Sequence, residues 1–305
     1  MTSPSPGALP DLAPQRVADA VATAEASMDA LDAVRARVDG GRTANTHGGD
    51  PGLHRNRSTV VRHAVSYLVA ARAGAAASAA GLEGPVVDVG AGTAAFSPLL
   101  AERLGRPLVL VDIDVRHTAL AAAAFPQATT HTDLADAPDG AVVVASEVVE
   151  HLVPADQVGF VASMAARTLP GGALVLTTPD ESGYSGGWSG YAPHVGPVDA
   201  DGLRRVVAEG TGGWPVRVLR IDGPTFTLTR GGARVQKAAN LLWNRAAGLV
   251  APLEPVATGL LHRVTRERPP AAVPSEGSWT VTEVGPGDGG WRAGTGLVAV
   301  ATRPL

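Results

Sequence analysis

Two groups of residues in this 305-residue chain have the types and spacing to do chemistry. The first lies in "VVDVGAGTAAF", where Asp88 precedes Gly90, Gly92 and Ala95. Glycines at those steps let a backbone approach a ligand closely at the start of a helix. The second is "SEVVEHL", with Glu147, Glu150 and His151, followed 43 residues after His151 by His194. Carboxylates and imidazoles so grouped can take a proton from a nucleophile or ligate a divalent ion.

The glycine spacing alone fits the G-x-G-x-x-G/A turn of dinucleotide-binding proteins. There the turn receives a diphosphate, and a carboxylate two residues before the first glycine would repel it. S-adenosylmethionine carries an ammonium and a sulfonium and no phosphate, so Asp88 favours it over NAD. A nicotinamide oxidoreductase is accordingly the weakest of the enzymatic readings. Asp112, twenty residues past Gly92, ends the next apolar run, where an acid can accept from ribose hydroxyls. Ile113 can pack on an adenine face, and Asp133 with Leu134 in "THTDLAD" can meet the adenine amino group. Taken singly, Asp88 is also compatible with a helix cap, and Asp112 with a turn acid.

These residues must be positioned by a repeated alternation of strand and helix. Apolar runs with little polar alternation, 85–90, 107–114, 141–146 and 173–179, predict strands covered on both faces. Helical segments at 94–104, 115–124 and 154–168 separate them, and a helix at 199–208 leads to a strand at 216–222. This order predicts an α/β fold with a Rossmann-like, mostly parallel sheet and an antiparallel final strand. Upstream, Val17, Val21, Ala24, Met28, Leu31, Val34 and Val38 recur at helical steps over 15–38. Asp39 to Gly52 breaks that stripe with glycines and a proline, and a second helix is expected from about Ser58, as N-cap, to Ala80. The predicted organisation is an N-terminal helical extension over 1–82 and a donor-binding core over 83–223. A helical insert over 224–278, bent at Pro252 and Pro255, and closing strands over 279–305 complete it.

Composition excludes several classes. The chain has no cysteine, so disulfides, thiolate zinc sites and cysteine nucleophiles are absent. Its formal net charge of −4, without a basic run, argues against a general nucleic-acid surface. The most apolar long stretch, 59–82, is interrupted by Arg62, His63 and Arg72, and the first residues lack the basic start and apolar block of a secretory signal. A cytoplasmic protein away from membranes is expected, with a homodimer possible.

In this order "VVDVGAGTAAF", "LVLVDID", "TDLAD", "ASEVVEHL" and "LPGGALVLTTP" resemble the class I S-adenosylmethionine-dependent methyltransferases, most closely over 85–179. The resemblance implies donor contacts at Asp88, Gly90, Ala91, Gly92, Asp112, Ile113, Asp133, Leu134 and Ser146. It also implies that the N-terminal helices and the insert cover the acceptor. Glu147, Glu150, His151 and His194 resemble the E-x-x-E-H…H metal set of small-RNA 2′-O-methyltransferases, but E-x-x-E-H also looks like ubiquinone-type O-methyltransferases. The loop "ESGYSGGWSGYAP" does not match the RNA enzymes. The preferred reading is metal-free, with His151 or Glu147 as general base. A blander reading has Glu147 and Glu150 begin a helix. The loop from Ser182 to Pro193, with Tyr184, Trp188 and Tyr191, is expected to form an acceptor lid or an ordinary surface loop. The insert helix reads first as plain packing and second as a groove wall or dimer surface. The function expected is methyl transfer to oxygen or nitrogen of a small molecule or peptide in specialised metabolism. The alternatives are a metal-dependent RNA 2′-O-methyltransferase and a non-catalytic donor-binding scaffold.

Overall fold

A computed structural model describes residues 12–38, 57–223, 230–250, 279–288 and 295–305. The sheet is built from β1 (Val86–Val89), β2 (Leu108–Val111), β3 (Thr129–His131), β4 (Gly140–Ser146), β5 (Thr168–Asp180), β6 (Val216–Asp222), β7 (Thr280–Glu283) and β8 (Thr295–Thr302). Their order is β3-β2-β1-β4-β5-β8-β6-β7. β1 to β5 pair in parallel, whereas β8 runs antiparallel between β5 and β6, and β7 pairs antiparallel with β6. The expected single antiparallel strand is therefore joined by a second at the outer edge.

Buried strands explain the continuous apolar runs: every residue of β1, β2 and β4 is buried. One face packs under the helices α1 (Pro14–Val38), α2 (Arg57–Ala77), α3 (Ser97–Leu104) and α4 (Val115–Ala124). Val17, Met28, Leu31, Val65 and Leu68 share that core with Val86, Leu110, Val142 and Val175. The N-terminal helices are thus one layer of the core, and no boundary separates them from it. The other face packs under α5 (Pro154–Ala166) and α6 (Ala200–Gly210), with Val87, Val143, Leu174, Met164 and Leu203 meeting there. α7 (Arg230–Val250) follows β6.

Several boundaries move for local reasons. α2 starts at Arg57, so Ser58 lies inside the helix. α3 starts at Ser97, not Ala94, because Ala94 is left-handed at φ +64° and Pro98 favours the first turn. β3 was not expected: Thr129–His131 is short and partly exposed, with no apolar run to announce it. The predicted bend at Pro252 and Pro255 and the helix beyond it lie outside the described residues.

Candidate active site

The chain runs outward from β1 to β2 and β3, then returns to place β4 on the other side of β1. That reversal opens a crevice at the carboxyl ends of β1 and β4, where open α/β sheets bind ligands. Both residue groups singled out by sequence sit there, one after each strand.

After β1 the glycine turn folds back onto β2. The Gly90 and Ala91 N–H groups donate to the Val111 carbonyl at 2.8 and 3.1 Å, and Gly92 N–H donates to Asp112 Oδ2 at 2.8 Å. Gly90 is left-handed, and a Cβ there would lie 2.6 Å from the Val148 side chain. The turn is therefore wedged against the strand-four motif, since Val148 sits between Glu147 and Glu150.

The acids of the donor half have distinct environments. Asp88 is fully buried, its Oδ2 accepting from Ser97 Oγ at 2.6 Å and Tyr67 Oη at 3.2 Å, while Oδ1 has no partner. Burial pushes its carboxyl up to about 7, against the hydrogen bonds from Ser97 and Tyr67. It does not cap the α3 backbone; it binds a side chain of the first turn. Asp112 Oδ1 accepts from Asp114 N–H at 2.9 Å, and His117 Nδ1 lies 3.4 Å away. Burial would raise Asp112, but His117 beside it and the hydrogen bonds from the Asp114 and Gly92 amides outweigh it and hold the carboxyl low. Asp112 thus stays anionic while it ties the glycine turn to β2.

Ile113, next to it, is 91% exposed. An aliphatic side chain so bare at a strand end suits an adenine face. Asp133 accepts from Ala135 N–H at 2.9 Å and caps a short 3₁₀ turn, and Leu134 is half-buried against the second core. Ala91 is buried, and Ser146 turns its Oγ to Thr177 Oγ1 at 2.7 Å. The anionic Asp112, the unpartnered Asp88 oxygen and bare Ile113 fit a cationic nucleoside donor.

After β4, Glu147 is left-handed at φ +57°, an uncommon state for a non-glycine residue and one that clusters at functional sites. Its Oε1 accepts from Thr177 Oγ1 at 3.3 Å, and Arg62 of α2 reaches Oε2 at 3.7 Å. Residues 149–151 form one 3₁₀ turn, and α5 begins only at Pro154, so the acids do not open a helix. Glu150 is fully buried; Oε2 accepts from Thr178 Oγ1 at 2.9 Å and Oε1 has no partner. Burial and then the Glu147 charge push its carboxyl well above the usual range.

The two histidines meet edge to face, ring centroids 5.0 Å apart. His151 Nδ1 lies 3.0 Å from the Pro193 carbonyl, so Nδ1–H donates and Nε2 carries the lone pair. Partial burial and neighbouring His194 lower its pKa. His194 Nδ1 lies 2.6 Å from Glu181 Oε1. Glu181 is buried just after β5, and it also accepts from Ser189 Oγ at 2.6 Å and Ser189 N–H at 3.0 Å. Burial would raise this carboxyl, but the bonds from His194 and Ser189 bring it below the usual range.

Ligand atoms of Glu150, His151 and His194 lie within 4.8 Å of one another. Glu147, the fourth residue of the alternative metal set, stands outside this group. One carboxylate and two imidazoles, each imidazole anchored through Nδ1, make a donor set a divalent ion can use.

Sequence reasoning missed Glu181, Tyr67, Ser97 and Arg62. For Glu181 a signal existed: an acid at the carboxyl end of a parallel strand, the same cue that marked Asp112. The other three reach the site from neighbouring helices, and nothing in their spacing marks them.

A family model for a methyltransferase domain matches residues 53–220, over half of the 305-residue chain. No curated protein matches it. Among solved structures, an S-adenosylmethionine-dependent methyltransferase from Archaeoglobus fulgidus is similar at 14% identity and TM-score 0.42, over 72% of this chain and 86% of that one. The magnesium protoporphyrin IX methyltransferase of Synechocystis, with bound S-adenosylhomocysteine, is similar at 18% identity and TM-score 0.37, over 45% and 66%. Streptomyces venezuelae DesVI is similar at 24% identity and TM-score 0.28 over 31% of this chain, which spans only 42% of that protein's length. With the glycine turn, the ordered acids and the strand order already in place, the chain belongs to the S-adenosylmethionine-dependent methyltransferases.

Proposed function

We propose that the protein methylates an oxygen or nitrogen of a small molecule or peptide, as a tailoring step in specialised metabolism, with His151 as general base. The observation that carries this reading is the contact between the two halves of the site. Gly90 of the donor turn abuts Val148, three residues from His151, so a methyl group held at the turn is delivered beside an unprotonated imidazole nitrogen.

The donor supplies a methyl carbon already activated by its neutral thioether leaving group. Asp112 and Ile113 hold the nucleoside, and Asp88 meets its positive charge from beneath the turn. His151 Nε2 accepts the proton that the acceptor's hydroxyl or ammonium gives up, a role worth roughly 10²–10⁴-fold in rate. Positioning of the two reactants does the rest. The acids Asp112, Glu147 and Glu181 around the crevice disfavour a polyphosphate acceptor, which supports a small molecule or peptide over RNA.

A second reading has a divalent ion at Glu150, His151 and His194, favoured by their convergence and by the unpartnered Glu150 oxygen. The ion would then orient or polarise the acceptor in place of base catalysis. Release of S-adenosylhomocysteine on a panel of amines, phenols, peptides and an RNA 3′ end separates these possibilities. The metal-free reading expects turnover indifferent to chelator and roughly 10²–10⁴-fold slower in His151→Ala. Loss of turnover on chelation, restored by Mn²⁺ or Mg²⁺ with donor affinity intact, would establish the ion instead. Turnover on RNA alone would reverse the choice of acceptor, and none on any member would favour a donor-binding scaffold.

A further inference from the structure

α7 meets the 182–193 loop through Ala233, which packs on Tyr184, through Leu241 beside Gly190, and through a row of amides. Val235 and Leu242 are each 70% exposed, whereas Gln236, Asn240 and Asn244, spaced four apart, all face loop atoms. Tyr184 Oη donates to Gln236 Oε1 at 2.6 Å; Asn240 Nδ2 donates to the Ser189 carbonyl at 3.1 Å, and Asn244 Nδ2 to the Gly190 carbonyl at 2.7 Å. Lys237 Nζ adds a bond to the Ser185 carbonyl. Gly190 has φ +83°, and a Cβ there would sit 3.1 Å from the Lys237 carbonyl, so the loop backbone lies directly on the helix. Packing of Ala233 on Tyr184 agrees with the first expectation for this helix, and the row of amide-to-carbonyl bonds adds to it.

On its inner side the same loop binds Glu181. Ser189, held from outside by Asn240, gives Glu181 both its N–H and its hydroxyl, and the same carboxylate accepts from His194 Nδ1. We infer that Glu181 is the positioning residue for His194, and that α7 holds it in place through Asn240 and Ser189. A buried carboxylate that receives Nδ1–H fixes the imidazole in one tautomer and one orientation, with the lone pair on Nε2. The insert helix therefore governs the acceptor half of the site, while the donor turn depends on β1, β2 and α3. The inference rests on the proposed placement of the acceptor beside His151 and His194, and it holds whether His194 meets the acceptor or an ion.

The test uses the full chain, saturated with S-adenosylhomocysteine and carrying ¹⁵N-labelled histidine. Imidazole ¹⁵N resonances report the tautomer of His194 without any acceptor. In Glu181→Gln the amide oxygen should stay on the Ser189 backbone N–H, which cannot rotate away, so the NH₂ is turned toward the His194 Nδ1–H, one donor against another. The Nδ1–H tautomer of His194 should then be lost, and kcat on any acceptor found should fall roughly 10²-fold or more. The calorimetric Kd for S-adenosylhomocysteine should change less than about two-fold. Glu181→Asp should restore the tautomer, and Asn240→Ala should lower kcat by about 2–10-fold, the scale of one neutral hydrogen bond. An unchanged His194 tautomer in both Glu181→Gln and Asn240→Ala overturns the inference, as does an equal loss of donor binding and turnover. A wild-type protein inactive on every acceptor would refute the functional reading, and the spectrum would still decide the role of Glu181.

Discussion

Asp88 combines full burial, an unpartnered oxygen and a carboxyl pushed up to about 7. Burial is the first cause, and the donor's positive charge would oppose it by favouring the ionised form. Donor binding near pH 7 should therefore release part of a proton. Calorimetry of S-adenosylmethionine binding in buffers of different ionisation enthalpy should show that release near pH 6.5–7, and neither Asp88→Asn nor the wild type at pH 9 should show it. Absence of buffer dependence at pH 7 would remove Asp88 from the donor's field. The same shift sets a sign for stability. The folded chain keeps the Asp88 proton where the unfolded chain has lost it, so this contribution is complete below pH 4 and declines as pH rises through about 7. Asp88, Gly90, Gly92 and Asp112 were legible because one strand–turn–helix–strand unit fixes their spacing. Glu181 carried the same strand-end cue as Asp112, but its pairing with Ser189 and His194 was not legible, because both reach it through the irregular fold of a loop.

At the scale of elements, strands and helices with strong apolar patterns were read closely, as β6 at 216–222 and α4 at 115–124 show. β3 escaped because an edge strand of three polar-leaning residues carries no periodicity. The pairing of α7 with the 184–190 loop escaped because amide-to-carbonyl bonds leave no hydrophobic signal. A further unforeseen tie joins β5 to β6 across β8. Buried Arg220 reaches Asp180 Oδ2 with its Nη2 at 3.3 Å, and Thr295 Oγ1 of β8 lies 3.4 Å from the same oxygen. Because Asp180 directly precedes Glu181, this tie anchors the strand end that carries His194's partner. Replacing Arg220 by Met would strand a buried carboxylate, and urea unfolding should show a loss of about 3–5 kcal/mol. A change below about 1 kcal/mol would mean that Thr295 and the Ser182 amide suffice to hold Asp180.

Across the whole molecule, the parallel strands β1, β2, β4 and β5 put both residue groups of the site at their carboxyl ends, and the two layers of helices hold those ends in register. α2 is part of this scaffold and of the site at once: Tyr67 touches Asp88, and Arg62 touches Glu147. This double role was not legible in the N-terminal sequence, because an apolar stripe shows that a helix packs and not what it packs against. Among the described residues no helix is long and apolar enough to cross a membrane. On the proposed function, the donor turn faces the histidine pair across Val148. A crystal structure of the complex with S-adenosylhomocysteine tests it directly. Adenine should lie against Ile113, the ribose hydroxyls on Asp112, and the sulfur should be turned toward His151 and His194. A sulfur pointing away from both histidines, or a ligand seated elsewhere on the sheet, would contradict it.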